Sequence, residues 1–167
     1  IYVLAETTCR EVALDRNPDQ LADFAAGTSA VTQTLAERGL DMSGVRLDDC
    51  SGMSPGNRIP ASVLTDVLRT AAGPDASREM RDLLDTLPVA AGSGTLVDRF
   101  DGSAAPGAGW VRAKTGTLSG TSALAGTVTS ADGRTMSFAL LASGTDPAVA
   151  RPIIDRIAAE LRSCGCR

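Results

Sequence analysis

Over the first ninety residues the apolar positions recur at helical spacing, three to four residues apart, and polar stretches punctuate them. Residues 3 to 14 carry Leu4, Ala5, Val12 and Ala13, with Glu6 and Arg10 one turn apart as a solvated pair on the helix surface. Asn17-Pro18 then offers a cap followed by proline at a first helical position, so a second helix is expected from there. Its apolar positions are Leu21, Phe24, Ala25, Thr28, Val31 and Leu35; Gly39 stops it and Gly27 is a weak point where it could break. Val45 and Leu47 read as a short strand running into a polar loop that extends to Asn57. Pro60 opens a helix through Val63, Leu64, Val67, Leu68 and Ala71, closed by Gly73-Pro74, and a shorter one covers 77 to 86 with Met80, Leu83 and Leu84.

From Pro88 to Gly109 the chain is rich in Gly, Ala, Ser and Pro, which predicts a surface loop with one helical turn at Thr95 to Phe100. Beyond it the period changes from helix to strand. Trp110–Thr117, Ser122–Thr129 and Arg134–Ser143 are short, Thr- and Val-rich and alternating, and Asp132-Gly133 is a tight-hairpin signal between the last two. Trp110 is expected to anchor its strand in the core. A final helix opens at Asp146 or Pro147, and Ile153, Ile154, Ile157, Ala158 and Leu161 form a stripe suited to covering one face of an antiparallel meander. The fold class is α+β: residues 1–90 mainly helical, 110–167 a sheet plus a terminal helix, within one domain.

Composition narrows the chemistry more than the fold. With 43% hydrophobic and 22% charged residues the chain can bury a core, and a net charge of −4 with no basic block argues against nucleic-acid binding. There is no histidine, so Ser-His-Asp triads, Cys-His dyads and His-ligated zinc are all excluded. Acid and base work is left to Lys, carboxylates, Tyr or water. Lys114 is the sole lysine among 16 basic residues; arginine keeps its proton in a protein, whereas lysine can release one or act as a compact cation. Cys9, Cys50, Cys164 and Cys166 contain no C-x-x-C pair, which disfavours zinc. Cys164 and Cys166 are too close in sequence to pair comfortably, so bridges from the tail to Cys9 or Cys50 are expected in an oxidising, exported setting; buried free thiols in a reducing compartment are the alternative. The chain opens at Ile1, which reads as a processed or truncated piece, so missing targeting signals carry no weight.

Lys114 sits in Val111-Arg112-Ala113-Lys114-Thr115-Gly116-Thr117, where strand alternation places it on one face with Arg112 and Gly116. Lys-Thr-Gly on a strand is one of three motifs of the penicillin-recognising serine enzymes, beside Ser-x-x-Lys and Ser-x-Asn. The stretch from Trp110 to Gly126 resembles the corresponding strands of D-alanyl-D-alanine carboxypeptidases of the penicillin-binding protein 4 type. Asp49-Cys50-Ser51-Gly52-Met53-Ser54-Pro55-Gly56-Asn57 is similar to that family's Asp-Gly-Ser-Gly-Leu-Ser-x-x-Asn segment, and Leu4 to Leu14 to its helix after Ser-x-Asn. The resemblance covers essentially the whole chain, residues 1–167, as the C-terminal portion of one penicillin-binding, transpeptidase-like domain.

The resemblance implies that the nucleophilic Ser-x-x-Lys and the Ser-x-Asn lie upstream of Ile1, on an upstream segment or a companion chain. It implies that Lys114 acts at the catalytic centre as a cation for the substrate's terminal carboxylate. Thr115 and Thr117 would add hydroxyl donors, and Gly116 would keep the strand bare for a peptide. The Thr117 backbone N–H would be half of the oxyanion hole. Lys114 and Gly116 fall on the face opposite Thr115 and Thr117, so an edge location or a local twist is required. Asp49, Ser51 and Asn57 read as loop-organising residues rather than catalytic ones, and Asp48 beside Asp49 does not make a carboxylate dyad. Cys50 in place of the family's Gly points to a disulfide of this lineage. The implied activity is serine-type D-Ala-D-Ala carboxypeptidase, with DD-endopeptidase action as a further possibility, on peptidoglycan stem peptides outside the cytoplasmic membrane, with β-lactams as acylating ligands and no metal or other cofactor. A β-lactamase and a non-catalytic homologue that binds wall peptide or a protein partner are the competing readings.

Overall fold

A computed structural model describes residues 2–164, and the chain divides into two compact units, 1–63 and 64–167. No helix among the described residues is long and apolar enough to cross a membrane.

The first unit is a helix pair followed by a structured loop. Helices α1 (Tyr2–Arg16) and α2 (Phe24–Glu37) meet through small residues: Cys9 and Ala13 are buried on one, Gly27 and Ala30 on the other. A Cβ on Gly27 would stand 3.1 Å from the Cys9 Cβ, so glycine there permits the close crossing and α2 runs through it unbroken. At the far end the Arg16 guanidinium clamps Glu37, with Nη2 to Oε1 at 2.5 Å. Asn17-Pro18 does not start α2. The Asn17 N–H closes the end of α1 on Ala13 O, and Asp23 is the cap, its carboxylate accepting from Ala26 N at 2.8 Å. Val45 and Leu47 form no strand; the segment contributes only a bridge between Arg46 and Arg58.

Two further sequence expectations change in this unit. Glu6 does not pair with Arg10: Glu6 Oε1 accepts from the N–H groups of Cys50 and Ser51 at 2.9 and 2.7 Å, and Arg10 lies over the Phe24 ring at 4.9 Å. Cys9 is bonded to Cys50, so neither is available to the C-terminal tail; a buried helix position and the loop bound to Glu6 are brought together by the fold itself. Cys164 is disulfide-bonded as well, and Cys166 lies outside the described residues.

Helix α3 (Ala61–Ala72) carries the chain from the first unit into the second, where α4 (Arg78–Asp85) is capped by the Ser77 hydroxyl. Short 3₁₀ turns follow at Gly94–Leu96 and Gly102–Gly107, the latter unforeseen because alanine, proline and glycine carry no periodic signal. Three antiparallel strands then form a sheet of order β1-β2-β3: β1 (Val111–Leu118), β2 (Thr121–Thr129) and β3 (Thr135–Ser143). Gly133 turns the second hairpin at φ +84°. Helix α5 (Pro147–Ser163) covers one face, and the core collects Leu96, Phe100, Val111, Ala113, Leu124, Val128, Phe138, Ile154 and Ala158.

The buried stripe of α5 differs from the expected one. Ala150, Ile154, Asp155, Ala158 and Ala159 face inward, whereas Ile153 and Ile157 are 45% and 43% exposed. Asp155 is tolerated inside because Arg99 grips it bidentately at 3.0 and 2.6 Å. Trp110 is not a core anchor either; it is 47% exposed, stacked under the Arg162 guanidinium at 3.6 Å.

Candidate active site

Strand β1 is an edge strand, bonded to β2 on one side only, which meets the expectation of an edge location for the Lys-Thr-Gly segment. In an antiparallel sheet the N–H and C=O groups of successive residues point alternately toward and away from the neighbouring strand. The contacts on the outer side of β1 set the phase. Ala113 N donates to Pro88 O at 2.9 Å, and Val111 O accepts from Ala90 N at 2.9 Å. Odd-numbered residues therefore direct their peptide groups outward. The next outward positions are Thr115 and Thr117, whose N–H groups have no backbone partner among the described residues. The segment Pro88–Ala90 thus occupies the first half of the outer edge and leaves the second half open.

The side chains follow the opposite alternation. Val111 and Ala113 are buried in the core, and the same face continues through Thr115 to the exposed Thr117. Lys114 stands on the other face with Arg112 and Gly116, and its ammonium donates to Thr115 O at 2.6 Å. That contact folds the cation around the strand edge, toward the side where the free peptide groups emerge. Partial desolvation lowers the Lys114 pKa from the ordinary lysine value even though the side chain is exposed, and no carboxylate among the described residues forms an ion pair with it. The site is a cation without a counter-ion, beside two outward N–H groups and two hydroxyls.

Glycine serves this strand pair twice. A Cβ on Gly126 would fall 2.0 Å from Arg112 O and 2.6 Å from Ala113 Cα, so β1 and β2 could not approach as they do with any other residue. A Cβ on Gly116 would meet the Ala123 Cβ at 3.2 Å, a tighter contact than most, and its absence leaves the Lys114 face bare. One residue that the sequence did not single out also belongs here. Thr95, from the first 3₁₀ turn, pairs hydroxyl to hydroxyl with Thr115 at 3.0 Å. A threonine in a Gly-rich loop carries no periodic or motif signal; only the pairing of that loop with β1 reveals it.

Besides its ties to Glu6 and Cys9, the Asp48–Asn57 loop is organised by its own polar side chains, as expected of loop-organising residues. Asp49 accepts from Ser51 Oγ, Gly52 N, Met53 N, Ser54 N and Asn57 Nδ2, and Asn57 Oδ1 in turn accepts from the Asp48 and Asp49 N–H groups. Burial alone would raise the Asp49 pKa, but the hydrogen bonds from Asn57, Ser51, Ser54 and Gly52 outweigh it and hold the carboxyl below its ordinary value. Asp48 engages Arg46 and Ser54 instead of Asp49, so no dyad forms. No group of His, Cys, Asp or Glu among the described residues could hold a metal ion.

Comparison with known proteins places these features in context. The D-Ala-D-Ala carboxypeptidase 3 (S13) family matches residues 2–163. The chain is 47% identical over 168 residues to carboxypeptidase DacB of Mycolicibacterium smegmatis, covering 98% of this chain and 35% of that protein. It is 36% identical over 141 residues to a D-alanyl-D-alanine carboxypeptidase of Actinomadura sp., covering 81% and 25%. Among solved structures, penicillin binding protein 4 (dacB) from Haemophilus influenzae, complexed with a β-lactam, superposes with a TM-score of 0.82 at 29% identity over 95% of this chain and 38% of that one. The chain therefore spans between 25% and 38% of the length of these relatives.

Proposed function

Because the chain belongs to the D-Ala-D-Ala carboxypeptidase 3 (S13) family, we propose that the whole protein is a serine-type D-Ala-D-Ala carboxypeptidase, with DD-endopeptidase action on the same bond type, acting on peptidoglycan stem peptides and acylated by penicillin. The observation that carries this reading is the open half of the β1 edge, where the unpaired cation Lys114 adjoins the outward peptide groups of Thr115 and Thr117. We take the two compact units as portions of one penicillin-binding, transpeptidase-like domain whose remaining part brings the nucleophile.

In this reading a serine hydroxyl from the Ser-x-x-Lys segment, outside these residues, attacks the carbonyl carbon of the penultimate D-Ala. The carbonyl oxygen takes up the electron pair and is held by the Thr117 N–H, a donor of a kind that contributes on the order of 3 kcal/mol to the transition state. The C–N bond then breaks, terminal D-Ala departs as an amine carrying the proton released by the serine, and water later hydrolyses the acyl-enzyme. Lys114 and the hydroxyls of Thr115 and Thr117 hold the terminal carboxylate, and Gly116 leaves room for the peptide beside them. The Cys9–Cys50 bond supports an extracytoplasmic location, since such bonds persist in oxidising compartments.

The test is acylation of the intact protein by a fluorescent penicillin, read by intact mass. One adduct is expected on the wild type, and Lys114→Ala should slow its formation by at least about 100-fold. Equal acylation of the two proteins would overturn the role of Lys114, and no adduct on the wild type would leave a peptide-binding homologue.

A further inference from the structure

The outer edge of β1 is closed at one end by a built element. From Pro88 to Leu96 the chain forms a strap held at several points: Pro88 O and Ala90 N bond to β1, Val89 N donates to Ser93 Oγ at 3.0 Å, and Ala91 N donates to Leu96 O at 2.9 Å. Leu96 is fully buried and roots the strap in the core. Gly94 adopts φ +55°, and a Cβ there would stand 3.1 Å from Pro88 Cγ, so the strap closes tightly on itself. Its tip, Thr95, reaches Thr115, the first open position of the edge.

Consider a peptide laid antiparallel on the open half of β1, which rests on the reading of that edge as the substrate groove. Its pairing slots recur every second residue, about 7 Å apart. A scissile carbonyl at the Thr117 N–H puts the following residue opposite Gly116, with its carboxyl group directed toward Thr115 and Lys114, and any second following residue in the Thr115 slot. The next slot along would be Ala113, whose outward N–H already belongs to Pro88 O. Past the Thr115 slot the chain of the ligand has nowhere to continue. We propose that the Pro88–Thr95 strap is the stop that ends the groove, and that Thr95, acting through the Thr115 hydroxyl, sets its preference for a terminal carboxylate.

Thr95 is a positioning residue in this scheme. A threonine hydroxyl has one proton to donate and two lone pairs with which to accept. In the structure Thr115 directs its proton to Thr95. When a carboxylate arrives, both hydroxyls rotate: Thr95 donates to Thr115 Oγ1, and Thr115 turns its proton to the ligand oxygen. Valine at position 95 keeps the shape and removes the donor, leaving Thr115 free of direction.

The intact protein tests this with three donors sharing one acyl part: one ending in a carboxylate, one in a carboxamide, and one continued through its α-carboxyl by three further residues. The continued donor should be hydrolysed at least about 100-fold more slowly than the carboxylate donor. Thr95→Val should raise KM for the carboxylate donor about fivefold with kcat nearly unchanged. The same variant should leave kcat/KM for the carboxamide as it was, Thr95→Ser should restore the wild-type KM, and Thr95→Val should add nothing in a Thr115→Val background. Hydrolysis of the continued donor within about tenfold of the carboxylate donor overturns the stop. A neutral Thr95→Val, or one that weakens both short donors equally, overturns the positioning role. If Lys114→Ala and Thr115→Val are themselves without effect on the carboxylate donor, the groove lies elsewhere and the reading beneath the proposal falls with it.

Discussion

Removing the Cys9–Cys50 bridge should loosen the first unit by a calculable amount. The bond joins positions 41 residues apart. In the chain-entropy description, closing a loop of that length withholds about 13 cal/mol/K from the unfolded ensemble, or ~4 kcal/mol at 25 °C. Against a usual domain stability of roughly 5 to 15 kcal/mol this is a large fraction. The suitable variant is Cys9→Ala with Cys50→Ser: alanine suits the buried helix position, serine the half-buried loop. A reductant would be ambiguous, because Cys164 is disulfide-bonded too. Trp110, the one tryptophan, lies in the other unit, so limited proteolysis is the better probe, with cleavage after Arg10, Arg16, Arg38 and Arg46 followed by mass. When opening and closing outrun cleavage, the rate follows the open population, so ~4 kcal/mol corresponds to an acceleration of about three orders of magnitude at those sites. Cleavage in residues 64–167 serves as the internal standard. An acceleration of about tenfold or less would refute the entropic account and shift the burden to Glu6 and the Asp49 network, which fasten the same loop without the bond.

Lys114→Ala should leave the thermal midpoint nearly unchanged, because an exposed cation without an ion-pair partner contributes little to folding. Hydrolysis of a carboxylate substrate should decline as pH rises through the lowered Lys114 pKa, below the range of an ordinary lysine; the sign for stability is opposite, since the unfolded chain binds the proton more tightly and folding gains as that proton leaves. A pH–rate profile whose alkaline limb is unmoved in the alanine variant would separate the limb from this residue. Gly126→Ala should cost about 3 kcal/mol, seen as a lower unfolding midpoint, because its methyl group meets the Arg112 carbonyl and must push β1 from β2. Asp155→Ala should cost about 3 to 5 kcal/mol by leaving the Arg99 charge buried without its partner; a double variant with Arg99→Met that recovers most of the loss would confirm that cause.

Much of this architecture could be read from residue order, and the failures have physical reasons. The strands were foreseen nearly to the residue because alternation, Thr and Val enrichment and the Asp132-Gly133 turn all agree. The start of α2 is not decided by local rules, because Asn17-Pro18 and Asp23 both satisfy capping preferences and only packing chooses between them. On α5 Ile154 and Ala158 of the expected stripe are buried, but Ile153 and Ile157 are exposed and the inward face is completed by Ala150, Asp155 and Ala159 instead. Trp110 is expected to anchor its strand in the core, yet its ring supports Arg162 at the surface. The Lys114 segment was legible because a lone lysine in an arginine-using chain stands out; Thr95 was not, because its role exists only once residues twenty positions apart are brought together.

The isolation of Lys114 also makes it a chemical handle. Within these 167 residues it offers the one side-chain amine, exposed at an open strand edge, and its lowered pKa leaves more of it as the free base at mildly alkaline pH than an ordinary lysine. Amine-selective acylating or reductively alkylating reagents would therefore modify this stretch at a single side chain. A carboxylate seated in the groove would shield that amine and keep it protonated. Footprinting at this position can then report occupancy directly, residue by residue, without requiring turnover. The same property warns against coupling the protein to beads or dyes through its amines, since within this stretch the attachment would fall on the groove itself.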